Sequence, residues 1–168
     1  MRTKSIVITS VIILLITLST IIYAILNNSS TSSNDIVLKD LNSSAEVQIN
    51  FFEKPTVLLA FTSWCPSCNE DAPKIVSLYE KYKDEINIYG INMLYRDDLD
   101  EVINYVDLYN IKYPILLDET GDTHKYLGEP AFPTLMFMNA EGVIIDEIVG
   151  STDIEIIEES FVNLIENF

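Results

Sequence analysis

Apolar and polar positions divide the chain sharply. From Ile6 to Leu26 stand 21 residues without a charge, dominated by Ile, Leu and Val, with no polar stripe at the helical period. As a helix this run would measure about 31 Å, enough to cross the hydrocarbon core of a bilayer. Residues 27–34, NNSSTSSN, then offer nothing apolar to pack and predict a linker. Beyond the linker, short apolar runs alternate with stretches whose apolar positions recur at three and four, the signature of strands interleaved with helices.

Ile36-Val37-Leu38 and Val47-Gln48-Ile49 predict two short strands, paired antiparallel around Asn42-Ser43-Ser44. Thr56–Phe61, TVLLAF, follows Pro55 as an unbroken apolar run, as expected of a central strand covered on both faces. A helix then extends to about Lys83, with Ile75, Val76, Leu78, Tyr79 and Tyr82 on its buried side and Pro73 predicting a kink. Ile86–Met93 is the next strand. Asp98 to about Tyr109 predicts a helix with an Asp98–Glu101 capping box and a stripe of Leu99, Val102, Ile103, Val106 and Tyr109. Pro114–Leu117 predicts a third strand, and a short helix runs from about Asp122 to Leu127. Strands Thr134–Phe137 and Val143–Ile148 flank the turn Asn139-Ala140-Glu141-Gly142. A last helix starts near Asp153, with Thr152 and Glu155 as its capping box and Ile154, Ile157, Phe161, Leu164 and Ile165 on its buried side. Two right-handed crossovers followed by a hairpin predict a three-layer α/β sandwich around a mixed sheet, formed by residues 35–168 as one domain.

Charge orients the apolar run. Arg2 and Lys4 precede it and the next cation is Lys39, so the positive-inside bias puts residues 1–5 in the cytoplasm, a transmembrane anchor at 6–26, and the rest of the chain outside. A cleaved signal peptide is the alternative. Its apolar core ordinarily spans about 7–15 residues and ends at a small-x-small site. Here the run continues through Tyr23-Ala24-Ile25-Leu26. The expected location is therefore the cell membrane, single-pass, with the C-terminal domain extracytoplasmic. With 26 acidic against 10 basic residues the net charge is −16, a field that repels nucleic acid.

The chain has two cysteines, Cys65 and Cys68, separated by Pro66 and Ser67. They fall at the start of a helix that leaves a buried strand, where unpaired backbone N–H groups stabilise a thiolate. In this reading Cys65 is the exposed sulfur that attacks a disulfide, and Cys68, one turn on and buried, resolves the mixed disulfide. A structural disulfide would close too small a loop to stabilise much. Zinc needs about four ligands, and the single histidine, His124, is distant in sequence. Neither a metal nor a cofactor is expected. Pro66 suits the first helical position, and Ser67 contributes a small polar side chain between the sulfurs. Trp64 is either a core residue or one wall of a docking surface. Asp71, three residues after Cys68, is either a proton-transfer group for that thiol or only a dipole partner at the helix start.

The stretch F61-T-S-W-C-P-S-C-N-E-D-A-P73, with A131-F-P-T-L-M-F-M-N-A-E-G142 and Y113-P-I-L-L-D-E-T-G121, resembles the thioredoxin-like superfamily. The likeness is greatest to the ResA/TlpA-type membrane-anchored thiol–disulfide oxidoreductases and covers about residues 35–168. It implies a thioredoxin-like fold with an N-terminal β-hairpin and a central helical insertion over Tyr95–Tyr109. It also implies a cis Pro133 beside Cys65, with backbone groups of Phe132 pairing to an extended substrate. Asp71 stands where the family often has a glutamate. Leu59 stands where thioredoxins proper have a buried acid, so their proton relay does not carry over. The threonine-containing loop of peroxiredoxins is missing, which favours protein disulfide exchange over peroxide reduction. The resemblance implies a reductase of disulfides in envelope proteins such as apocytochromes c, fed by a separate membrane electron donor. A disulfide-introducing oxidase and a non-catalytic binding or chaperone module are the alternatives.

Overall fold

Side chains alternate across a strand, so each central strand of a covered sheet feeds two cores. In the computed structural model, residues 36–168 are described, together with Thr17 and Ser19. The expected cytoplasmic tail at 1–5, linker at 27–34 and, apart from those two positions, anchor at 6–26 lie outside the described residues. The strands are β1 (Val37–Asp40), β2 (Glu46–Gln48), β3 (Thr56–Phe61), β4 (Asn87–Asn92), β5 (Ile115–Leu117), β6 (Thr134–Met138) and β7 (Ile144–Val149). They form one mixed sheet in the order β2-β1-β5-β4-β3-β6-β7, in which β3, β4 and β5 run parallel and the other pairs antiparallel. Among residues 36–168 four α-helices accompany it: α1 (Pro66–Tyr82), α2 (Leu99–Tyr109), α3 (Asp122–Tyr126) and α4 (Ile154–Glu166).

Val57, Leu59 and Phe61 of β3 face Ile75 and Leu78 of α1, Tyr105 of α2 and Phe161 of α4. Leu58 and Ala60 face the other way, onto Ile36, Ile49 and Phe51. Each fully buried large side chain of this kind contributes roughly 1.5–3 kcal/mol. The sheet is therefore covered on both faces, though unequally. All three long helices lie on one face, and the N-terminal segment with Leu127 beyond α3 covers the other. The cause is handedness: β3–α1–β4–α2–β5 steps in one direction across the sheet, and right-handed crossovers then put both helices on the same side. Gly90 on β4 lies under that layer. A Cβ there would sit 2.6 Å from Ile115 Cδ1, with Tyr113 and Phe61 at 3.2 and 3.3 Å.

Two capping boxes read differently in three dimensions. Asp98 caps α2 by accepting from the N–H groups of Asp100 and Glu101, but its own N–H donates to Asp97 rather than to Glu101. α4 begins at Ile154 with Asp153 at the cap and no side-chain capping bond; the carbonyl of Thr152 instead accepts from Lys74. Pro73 lies within α1, which continues to Tyr82.

Candidate active site

β3 ends at Phe61, and a three-residue turn delivers Cys65 to the head of α1. Cys65 is the N-cap, in extended backbone conformation, and its sulfur accepts from the N–H of Cys68 at 3.4 Å. A thiol thus takes the place usually held by a serine or aspartate oxygen, and the helix end offers charged sulfur an N–H and the positive pole of its dipole. Pro66 follows at the first helical position, exposed, and Ser67 is half-buried.

Cys65 is not an exposed sulfur. It is 6 % accessible against 2 % for Cys68, and its thiol donates to the carbonyl oxygen of Phe132 at 3.4 Å. The Phe132–Pro133 bond is cis. Trp64, 55 % accessible, lies on the surface rather than in the core, edge-on to the Phe132 ring with centroids 6.5 Å apart. The sulfur faces the cis-proline loop through its hydrogen bond to the Phe132 carbonyl and is less open than the first position of a C-x-x-C pair suggests. Burial pushes the Cys68 thiol well above the ordinary cysteine range, and the adjoining Cys65 sulfur and the Asp71 charge push it the same way.

Asp71 is buried, but not as an isolated carboxylate. Its Oδ1 accepts from Lys74 Nζ at 2.7 Å and from Ser151 Oγ at 2.5 Å. Lys74 Nζ also donates to the carbonyl of Thr152 at 2.7 Å, and the hydrogen bond to Asp71 holds its ammonium above the ordinary lysine range. Gly150, next to Ser151, donates its N–H to the carbonyl of Pro133 at 2.8 Å. A chain of polar contacts thus runs from α1 through the β7–α4 loop to the cis-proline loop.

Several residues at the site had no signal in the linear sequence. Asn69 Nδ2 donates to the carbonyls of Ser63 and Cys65, and Tyr109 Oη donates to Asn69 Oδ1. Tyr105 Oη donates to the carbonyl of Cys68 at 2.9 Å. The carboxylate of Asp97 accepts from Ser63 N and Oγ, both at 2.6 Å, and from Asn92 Nδ2 at 2.8 Å. The insertion therefore clamps the first turn of α1. Tyr109 reads from sequence only as part of the apolar stripe and Tyr105 falls outside it, because periodicity does not tell where a hydroxyl finds its acceptor.

A sequence profile described as the AhpC/TSA family matches residues 31–147. The chain belongs to the AhpC/TSA family. Among its relatives in that family, a thiol-disulfide oxidoreductase ResA of Bacillus thuringiensis subsp. konkukian is 30 % identical over 128 residues, covering 74 % of this chain and 72 % of that one. The sporulation thiol-disulfide oxidoreductase A of Bacillus subtilis is 26 % identical over 106 residues, 62 % of this chain and 64 % of that one. The crystal structure of StoA from Bacillus subtilis superposes with a TM-score of 0.65 at 24 % identity, covering 74 % of this chain and 94 % of that one, and shows the same thioredoxin-like fold. With the Cys65–Cys68 pair at the helix head, this AhpC/TSA member is a thiol–disulfide oxidoreductase. Leu59, buried in the core on β3, provides no carboxylate beneath its dithiol.

Proposed function

We propose that the protein reduces disulfides of specific envelope proteins on the outer face of a plasma membrane, held there by the apolar segment 6–26. The observation that carries this reading is the meeting of Cys65 Sγ and the Phe132 carbonyl at the head of α1. An extended substrate that pairs with the Phe132 backbone would lay its disulfide against the attacking sulfur. The Cys65 thiolate attacks one substrate sulfur, the S–S bond breaks, and the other substrate sulfur leaves as a thiolate. Cys68 then loses its proton and attacks Cys65 Sγ; the second substrate sulfur departs, and the enzyme holds the Cys65–Cys68 disulfide. Two electrons have passed to the substrate. Asp71, in the same stretch of α1, takes the Cys68 proton in this reading, while Trp64, Pro66 and Ser67 shape the rim.

The reductase direction is the one the family resemblance implies; the dithiol spacing itself is compatible with either direction, which is set by potential and partner. The relative named sporulation thiol-disulfide oxidoreductase A supports a spore setting as one case; envelope proteins such as apocytochromes c are the substrate class the family resemblance implies. Two cysteines cannot relay electrons across a bilayer, so re-reduction of the disulfide falls to a separate membrane protein.

The test is a Cys68→Ser variant of the full chain in a bacterial membrane. It is expected to accumulate mixed disulfides through Cys65 with envelope proteins, and the wild-type dithiol to have a potential near thioredoxin's, about −270 mV. Capture of no partner would count against exchange chemistry. A potential near about −120 mV would point to the oxidase instead.

A further inference from the structure

The turn after β4 reaches both sides of the dithiol. On one side the carbonyl of Arg96 accepts from Trp64 Nε1 at 3.0 Å, and Asp97 holds Ser63. On the other side the hydroxyl of Tyr95 lies 2.9 Å from Nδ1 of His124, whose Nε2 lies 2.9 Å from the carbonyl oxygen of Pro130. A carbonyl only accepts, so Nε2 carries a proton; in the neutral ring Nδ1 is then the acceptor for the Tyr95 hydroxyl. His124 is buried, its backbone N–H donates to Asp118 Oδ2 at 2.8 Å, and its ring centroid lies 5.4 Å from that of Phe132. Pro130 and Phe132 bracket Ala131 in the loop whose Phe132 carbonyl faces Cys65.

We infer that Tyr95 and His124 are positioning residues that aim the 130–133 loop, and so give the enzyme its preference for extended protein disulfides over small ones. The loop needs an outside anchor. It leaves α3 through two consecutive residues with left-handed backbone, Gly128 at φ +87° and Glu129 at φ +57°, and it has no regular structure until β6. The anchor is itself fixed. Tyr95 donates its N–H to the carbonyl of Asp118, and its ring lies over Gly121, where an added Cβ would come within 3.1 Å of it. Gly121 has φ +83°, so this position requires glycine for both backbone and space. Small disulfides reach Cys65 without pairing to the loop backbone; an extended peptide depends on where the Phe132 carbonyl points. The inference rests on the protein-disulfide reading above.

The experiment compares reduction of a cystine-bridged peptide with reduction of 5,5′-dithiobis(2-nitrobenzoate), in the wild type, His124→Phe, His124→Gln and Tyr95→Phe. His124→Phe keeps a ring and loses both hydrogen bonds. It is expected to raise KM for the peptide about tenfold, the scale of one lost buried hydrogen bond, with kcat and the small-disulfide rate within about twofold. His124→Gln, which returns an amide donor toward Pro130, is expected to recover most of the loss, and Tyr95→Phe to raise KM about threefold. Nitrogen NMR of the wild type should find His124 protonated at Nε2 and bare at Nδ1. Equal losses on both substrates, an unmoved peptide KM in His124→Phe, or the opposite tautomer would overturn the inference. If His124→Phe fails to fold, Tyr95→Phe, which lacks only one hydroxyl, decides by the same split. A wild type active on the small disulfide but not on the peptide overturns the protein-disulfide reading and this inference with it.

Discussion

The Cys65 thiol and the Phe132 carbonyl, 67 residues apart in sequence, meet at 3.4 Å at the head of α1. The same sulfur accepts the N–H of Cys68, so Cys65 is both the reacting group and the helix cap. The two roles separate in Cys65→Ser. Serine is a preferred cap, so thermal stability should hold or rise by up to about 1 kcal/mol. Disulfide exchange should vanish. Melting curves beside a peptide-disulfide assay check both, and a large loss of stability would contradict the capping role.

Cys68 and Asp71 are coupled through charge. The Asp71 carboxylate adds to the forces holding the Cys68 thiol protonated. Asp71→Asn should therefore let the Cys68 thiolate form at lower pH, seen as earlier absorbance at 240 nm in a Cys65→Ser background. If Asp71 also accepts the Cys68 proton, the same substitution should slow resolution of the mixed disulfide near neutral pH. An unchanged pH profile for exchange would remove Asp71 from the mechanism. Loss of the pair with Lys74, which is partly solvent-accessible, should cost about 1–2 kcal/mol of stability.

Gly90→Ala tests the packing of helices on the sheet. Its Cβ would enter the space of Ile115 Cδ1 at 2.6 Å, with two aromatic rings just beyond. Overpacking of this kind costs about 1–3 kcal/mol, and a fall in melting temperature of roughly 3–10 °C should follow. Calorimetry reads it directly.

Alkali should loosen the fold before it reaches ordinary surface groups. Cys68, Tyr105 and Tyr113 all have pKa values raised mainly by burial, from ordinary values of 9.0, 10.0 and 10.0. Below pH 9 both folded and unfolded chains hold these protons, and the contribution to stability is fully present. Above it the unfolded chain releases protons that the native state keeps, so stability falls as pH rises. The slope steepens by about 1.4 kcal/mol per pH unit for each group passed. Denaturant midpoints of the reduced protein at pH 8 and pH 10.5 should differ accordingly, and a flat profile would contradict the burial of these groups.

Reduction should also register in Trp64, the chain's one tryptophan. It adjoins Cys65 and is fixed by its bond to the Arg96 carbonyl. A disulfide next to an indole quenches it, so emission should rise when dithiothreitol opens the Cys65–Cys68 bond. The Cys65→Ser variant should show no such change.

Local pattern alone determined much of this protein. The run TVLLAF is a central strand because five apolar residues follow Thr56 without alternation, and it is buried throughout. Asp98 marks the start of α2, and Cys65-Pro66-Ser67-Cys68 marks the head of α1, because caps and turns are written in a few adjacent residues. Tertiary structure decided what depends on residues distant in the chain. Right-handed crossovers stacked α1 and α2 on one face, where α4 joins them, which no single segment encodes. The Phe132 carbonyl came to face the sulfur that linear spacing leaves open, and Lys74 with Ser151 turned Asp71 from a lone carboxylate into a paired one. His124, remote from the dithiol in sequence, came to lie behind the loop that faces it. Periodicity reports which side of an element is buried; it is silent on which polar groups meet there, because their partners arrive with other elements.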